Sequence, residues 1–179
     1  LLENLSVPHI LVSLLVLDLT LYIWHRLNHE VPFLWRFHHV HHLDNRLDST
    51  TALRFHFGEL FFSPFLRMVP VFLLGIPFTH VLWYEGISAV FVFFHHSNIR
   101  LPKALDSLLS RVIITPNLHW MHHHAKRVDT DSNYGVIFSF WDRLLRTYNP
   151  KARSQTMPLG VEGEKADPTF TTLLIKPFK

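Results

Sequence analysis

The chain has 179 residues, of which 48% are apolar, 14% aromatic and only 17% charged, with a formal net charge of +3. That is enough chain for one domain with a sizeable core, and the positive mean hydropathy points away from an ordinary soluble protein and towards a membrane-embedded one. The small, dispersed charge argues against nucleic-acid binding, and the absence of cysteine excludes disulfides, iron–sulfur clusters, thiolate zinc sites and cysteine nucleophiles. The sequence opens on Leu1 rather than methionine, as a piece of a longer protein would, and shows no signal-peptide pattern.

In chain order, "LSVPHILVSLLVLDLTLYIW" at 5–24 predicts a helix of roughly 30 Å, matching a bilayer core, with Asp18 as its one acidic interruption. The next apolar region, 60–96, is broken by Pro64, Arg67, Pro70, Gly75 and Pro77, and reads as a helical hairpin turning at "LGIPFTH". Residues 103–114 predict an interfacial helix with Leu105, Leu108, Leu109 and Val112 on one face. "TPN" at 115–117 marks a helix start, "DTDSNYG" at 129–135 a turn cluster, and 136–148 a further apolar-rich helix. The expected architecture is therefore all-α: one membrane-embedded domain over 1–150 and an extended tail over 151–179. Arg26, Arg36, Arg46 and Arg54 follow the first helix, and Arg100, Lys103 and Arg111 follow the hairpin, whose apex has neither Lys nor Arg. The positive-inside rule then puts every histidine-rich segment on the cytoplasmic side.

Fifteen histidines are present, and their spacing carries the argument. His25 and His29 are four residues apart, so on a helix they stand one above the other. His38, His41 and His42 form an HxxHH pattern, as do His119, His122 and His123, each covering one helical face about 100° wide. Their neighbours His39 and His124 point away, and the pair His95–His96 ends the hairpin. Neutral imidazole is a ligand for iron, zinc, copper or nickel, and four such faces converging offer about nine donors, a set that suits two metals with open positions. The ligand set does not choose between the metals.

On the first helix, Asp18, Tyr22, His25 and His29 form one stripe. An ionisable residue within a span faces the interior, so Asp18 is either linked to His25 through Tyr22 or is a structural carboxylate paired with another helix. Asp44, Asp48, Asn98, Asp129 and Asp131 flank the histidines, and each reads as a cap or turn residue ahead of a partner to a metal-bound imidazole.

The stretches "DLTLYIWHRLNH", "LWRFHHVHHLD", "TTALRFHFGE", "HHSNIRLP", "TPNLHWMHHH", "DSNYG" and "WDRLLRTY" resemble, in order, the fatty acid hydroxylase/sterol desaturase superfamily of membrane-embedded di-metal oxygenases. The resemblance spans about residues 18 to 148. It implies an O2-dependent site with two Fe ions, replaceable by zinc on overexpression, that hydroxylates or desaturates a C–H bond of a sterol, fatty acyl or sphingolipid-like molecule. Carried onto this chain, it implies His25, His29, His38, His41, His42, His96, His119, His122 and His123 as ligands and catalytic centre, with "FHHSN" favouring His96 over His95. His56 sits at a family histidine and is a candidate tenth ligand or supporting residue. The chain departs from the family at Phe57, where proline is usual, and at Arg146, where glycine is commoner.

Attacking an unactivated C–H bond requires an oxidant stronger than any side chain, so a metal–oxygen centre suits the pattern. With no GxGxxG or Walker motif and no cysteine, electrons must arrive from an external donor of cytochrome b5 or ferredoxin/reductase type, docking on the cytoplasmic face. Two other readings compete: a membrane zinc hydrolase, which lacks its usual HExxH, and a non-enzymatic membrane metal carrier or haem protein, which leaves the triads unexplained.

Overall fold

Pro32 divides the first histidine-rich stretch in two. A residue preceding proline is pushed out of helical geometry, and Val31 is accordingly extended (φ −93°, ψ 114°). It therefore ends α1 (Val7–Glu30), and Pro32 opens α2 (Pro32–His42) from the first turn, where its missing N–H costs nothing. The computed structural model describes residues 6–154, 156–164 and 168–179; Leu5, the expected start of the first helix, lies outside them. The apolar span expected over 5–24 continues as helix through His25 and His29, in keeping with their place on the first helix, about 36 Å in all. The reversal into α2 takes the single residue Val31.

After a 3₁₀ turn (Ser49–Leu53) capped by Asp48, the hairpin follows as α3 (Phe57–Leu74) and α4 (Phe78–His96). It begins three residues earlier than expected because His56 caps it: the Gly58 N–H donates to His56 Nδ1 at 3.0 Å. Phe57 is then the first helical residue, the position where proline fits best, which accounts for the proline usual in the family. Gly75 closes α3 at φ 62°, a left-handed conformation that glycine adopts without strain. α1 and α3 are long and apolar enough to cross a membrane, by length and composition. Their outer faces remain open, as at Leu11, Phe65 and Leu73, the last 78% exposed. Inside, buried polar side chains outnumber buried apolar ones among the described residues.

Beyond the hairpin come α5 (Lys103–Leu109), α6 (Pro116–His122), α7 (Arg127–Thr130) and α8 (Phe140–Leu144). Both helices expected here, 103–114 and 136–148, are shorter, and for one reason. Residues 112–114 and 137–139 pair with each other, the Ile114 N–H donating to the Ile137 carbonyl at 2.8 Å and the Ser139 N–H to the Val112 carbonyl at 2.9 Å. Long-range pairing thus takes the groups that local helices would have used. Among the described residues there is no strand, only isolated bridges at Ile113–Phe138 and His124–Leu159. The 151–179 segment, expected to be extended, carries α9 (Phe170–Ile175) and a 3₁₀ turn (Lys176–Phe178) that packs on α2, with Phe178 against Phe37.

Asp18 locks these layers together. Its carboxylate, fully buried, accepts from Tyr84 Oη (3.0 Å), Trp141 Nε1 (2.9 Å) and the Ile137 and Phe138 N–H groups (3.2 and 3.3 Å). It joins α1, α4 and the C-terminal half around a core of Leu17, Ile76, Tyr84, Val136 and Ile137. Tyr22 bonds Thr147 instead (2.7 Å), so the link from Asp18 through Tyr22 to His25 does not form. Asp18 is the structural carboxylate of the two readings, and each donor it leaves unpaired would cost about 1–3 kcal/mol.

Arg146, just past α8, sits at φ 61°, which explains the glycine commoner there and strains an L side chain by about 1–2 kcal/mol. Arg146→Gly removes that strain but adds freedom to the unfolded chain, so a net gain of roughly 0.5–1 kcal/mol is expected. Denaturant titration in detergent measures it; a variant no more stable than the parent contradicts the strain.

Candidate metal centre

The proline-set turn at 31 brings the last turn of α1 against α2, and α4 and α6 close the other side. Two groups of imidazoles result: His25, His29, His38, His42 and His122 in one, His41, His96, His119 and His123 in the other. Within each group one ring nitrogen per residue lies within 4.8 Å of all the others. The groups adjoin, with the His42 and His123 rings stacked at 4.4 Å. All nine histidines expected from the sequence are thus brought together.

His56 is not among them. Its Nδ1 accepts from Gly58 and its Nε2–H donates to the Leu174 carbonyl at 3.0 Å, so both nitrogens are committed. His95 is also outside both groups, although its ring lies 3.9 Å from that of His119. His39 faces Glu164 (3.5 Å) and His124 faces Asp129 (3.3 Å), away from the cluster as the helical periodicity predicts.

Five of the nine outward nitrogens are held by the surrounding chain, while Nδ1 of His41, His42, His119 and His123 has no hydrogen-bond partner among the described residues. His38 Nδ1–H donates to Glu59 (3.0 Å), His96 to the Val92 carbonyl (2.7 Å), and His29 to Asp131 (3.1 Å). His122 and His25 donate to the Ser132 and Tyr134 carbonyls at 2.7 and 2.8 Å. A ring protonated at Nδ1 and kept neutral has a bare lone pair at Nε2. Nε2 of His29 and of His122 are buried with no hydrogen-bond partner among the described residues. Other Nε2 atoms face each other: His38 and His42 at 3.2 Å, His96 and His41 at 3.2 Å, His96 and His119 at 3.0 Å. Two nitrogens bound at right angles to an ion at about 2.1 Å would lie about 3.0 Å apart, so the spacing fits the edges of a coordination shell. The donor set therefore fits a metal.

A fatty acid hydroxylase family model matches residues 10–147. The chain belongs to the fatty acid hydroxylase family. It is 34% identical over 94% of its length to the ornithine lipid hydroxylase OlsE of Rhizobium tropici, covering 50% of that protein. It is 30% identical over 79% of its length to the alkylglycerol monooxygenase of Danio rerio, covering 30% of it. To the human cholesterol 25-hydroxylase it is 29% identical over 80% of its length, covering 52%. The chain thus spans about half, or less, of these curated relatives. No solved structure matches it.

In this family member the sequence reading missed the groups that aim the rings. Glu59 lay in the quoted "RFHFGE" stretch, three residues past His56, and went unassigned; Asp131, read as a turn residue, holds His29. "DSNYG" supplies three of the outward acceptors at Asp131, Ser132 and Tyr134. Asn133 takes φ 53° and donates to the Leu118 and Asn149 carbonyls (both 3.1 Å), and Asp142 accepts from the Tyr134 and Gly135 N–H groups at 2.7 and 2.9 Å. Burial pushes the Asp142 carboxyl up to about 7. A Cβ on Gly135 would lie 2.7 Å from the Phe138 carbonyl and 2.9 Å from Asp142 Oδ2, so glycine permits this close approach. Gly135→Ala is expected to shift the loop and lower bound metal by half or more, read by elemental analysis of folded protein; full metal content would show that the loop does not aim the rings.

Burial, reinforced by neighbouring imidazoles, holds His41, His42, His119 and His123 well below the ordinary histidine value, and burial beside His25 does so for His122. Rings that stay neutral when folded but take protons when unfolded make the fold lose stability as pH drops below about 6.5. The metal-free protein should therefore melt at a lower temperature at about pH 5.5 than at about pH 7.5. Equal midpoints in a thermal scan would mean that these rings accept protons inside the fold.

Proposed function

We propose that the chain is the catalytic part of a membrane-embedded lipid hydroxylase, in which nine imidazoles hold two iron ions. The observation that carries this is the convergence of five and four ring nitrogens, every residue buried except the half-buried His25, together with a cavity that reaches both groups. That cavity, about 280 Å³, touches His25 and His38 of one group and His41 and His96 of the other. It continues between α1, α3 and α4 along Leu21, Leu60, Val92 and Phe93, an apolar path suited to an alkyl chain.

His25, His29, His38, His42 and His122 would hold one iron, and His41, His96, His119 and His123 the other, leaving open positions. The metals, when bound, supply the O2-derived oxidant that attacks a C–H bond with electrons from an external donor. The protein's own part is to keep the rings neutral and aimed, through Glu59, Asp131 and the carbonyls of Val92, Ser132 and Tyr134. The apolar walls orient the chain and exclude water, which protects the oxidant from side reactions. Relatives named as hydroxylases and monooxygenases favour hydroxylation over desaturation. Open apolar faces on α1 and α3 support insertion in a bilayer, and the basic residues after α1 and α4 support a cytoplasmic site, where a cytochrome b5-type or ferredoxin-type donor would dock. Rings packed 4–5 Å apart disfavour haem, which needs room for a macrocycle between two of them.

Purified protein reconstituted with ferrous iron is expected to hold two irons per chain, show no Soret band and convert a lipid to a hydroxylated product under O2 with a reductant. A haem spectrum, or the same lipid products with and without iron, would overturn the reading. Substitution separates ligand from bystander: His41→Ala should abolish lipid oxidation and lower metal content, whereas His39→Ala should do neither. Equal losses from the two would refute the facial assignment.

A further inference from the structure

The hairpin carries two charges in its apolar middle that the metal centre does not use. Arg67 on α3 and Glu85 on α4 form an ion pair, Arg67 Nη2 to Glu85 Oε1. Both line the cavity that ends on His25, His38, His41 and His96. Such a pair is a poor way to hold a hairpin together, because apolar residues of similar volume usually do as well or better. Ionisable groups within an apolar span mark function by default. Nor is the pair sealed in the core, since the two side chains remain 29% and 44% exposed.

We propose that Arg67 and Glu85 form the polar anchor for the lipid, gripping a neutral group that both donates and accepts a hydrogen bond: an amide or a hydroxyl. This deepens, and rests on, the lipid-hydroxylase reading. A guanidinium offers only donors and a carboxylate only acceptors, so a group bridging them must supply one of each. A secondary amide does so with its carbonyl to Arg67 and its N–H to Glu85. An ester or ether has no donor for Glu85, and a phosphate or free carboxylate would meet it with like charge. Arg67 lies eight residues along α3 from Glu59, and Glu85 eleven residues along α4 from His96, about 12 and 16 Å of helix. An extended chain advances roughly 1.25 Å per bond, so the carbon offered to the metals lies on the order of ten bonds from the anchored group.

Trp24 also lines the cavity, so a brominated chain seated there quenches its fluorescence. The test compares three probes built on one dibrominated stearoyl chain: its N-methyl amide, its primary alcohol and its methyl ester. They are titrated without turnover into the iron-loaded protein in detergent. The amide, the alcohol or both should bind on the order of tenfold tighter than the ester, and the arm that does so identifies the anchored group. In Arg67→Met combined with Glu85→Met the preference should vanish while iron content is kept. Equal affinity for all three probes in the wild-type protein overturns the anchor, whether or not the double variant folds, and so does a preference that survives in the folded double variant. Equal binding with hydroxylation intact sinks the anchor alone, whereas selective binding without oxidised product sinks the hydroxylase reading and leaves a lipid site.

Discussion

Nitrogen lone pairs gathered around one buried volume are the constraint on which the rest of the structure depends. With Nδ1–H of His38 and His96 turned outward onto Glu59 and the Val92 carbonyl, their Nε2 lone pairs point inward, 3.0–3.2 Å from Nε2 of His42, His41 and His119. Without an ion, such a contact is favourable only if the partner ring carries its proton on Nε2, which leaves that ring's buried Nδ1 unpaired. A divalent ion would let every ring turn a lone pair inward, and metal binding to structural sites is worth on the order of 10 kcal/mol. The polypeptide must therefore supply, from its other contacts, the free energy that holds the rings together before the ion arrives.

Those contacts form a shell outside the rings. Pro32 fixes the angle between α1 and α2 through the one extended residue at Val31. Asp18 ties α1 to α4 and to residues 137–141. Asp142 and Asn133 shape the loop from which Asp131, Ser132 and Tyr134 reach the rings. The acceptors around the rings are thus backbone carbonyls and the carboxylates of Glu59 and Asp131, which accept only and set the outward N–H of His25, His29, His38, His96 and His122, leaving the inward lone pairs of those five rings free.

This division explains what could be read in the sequence. The proposed ligands mostly follow helical periodicity: HxxxH and the two HxxHH patterns expose eight of the nine converging rings and exclude His39 and His124, while the ninth, His96, is singled out only by the family resemblance of "FHHSN". Backbone acceptors carry no residue signature, so the roles of Ser132, Tyr134 and Val92 were invisible, and "DSNYG" could be read only as a turn. Helices 103–114 and 136–148 were overestimated because their apolar pattern serves pairing between distant segments. His56 shows the opposite error. A histidine at a family position was a fair ligand candidate, but its ring joins the first turn of α3 to the tail, a long-range contact that no local spacing reveals.

Helix direction adds a further term. His29 lies in the last turn of α1, His41 and His42 in that of α2, His96 in that of α4, and His119 and His122 in that of α6. Four helices therefore point their C-terminal ends at one volume, each long helix bringing a partial charge of about −0.5 in unpaired carbonyls. The seven-residue α6 contributes less. By itself that field would favour protonated histidine, yet desolvation is the largest influence on the rings and keeps them neutral. What remains is a negative potential around uncharged donors, which attracts a cation without spending it on protons. The C-terminal placement of the histidine patterns is thus part of the metal chemistry, because the same rings at helix N-termini would have met a potential of the wrong sign.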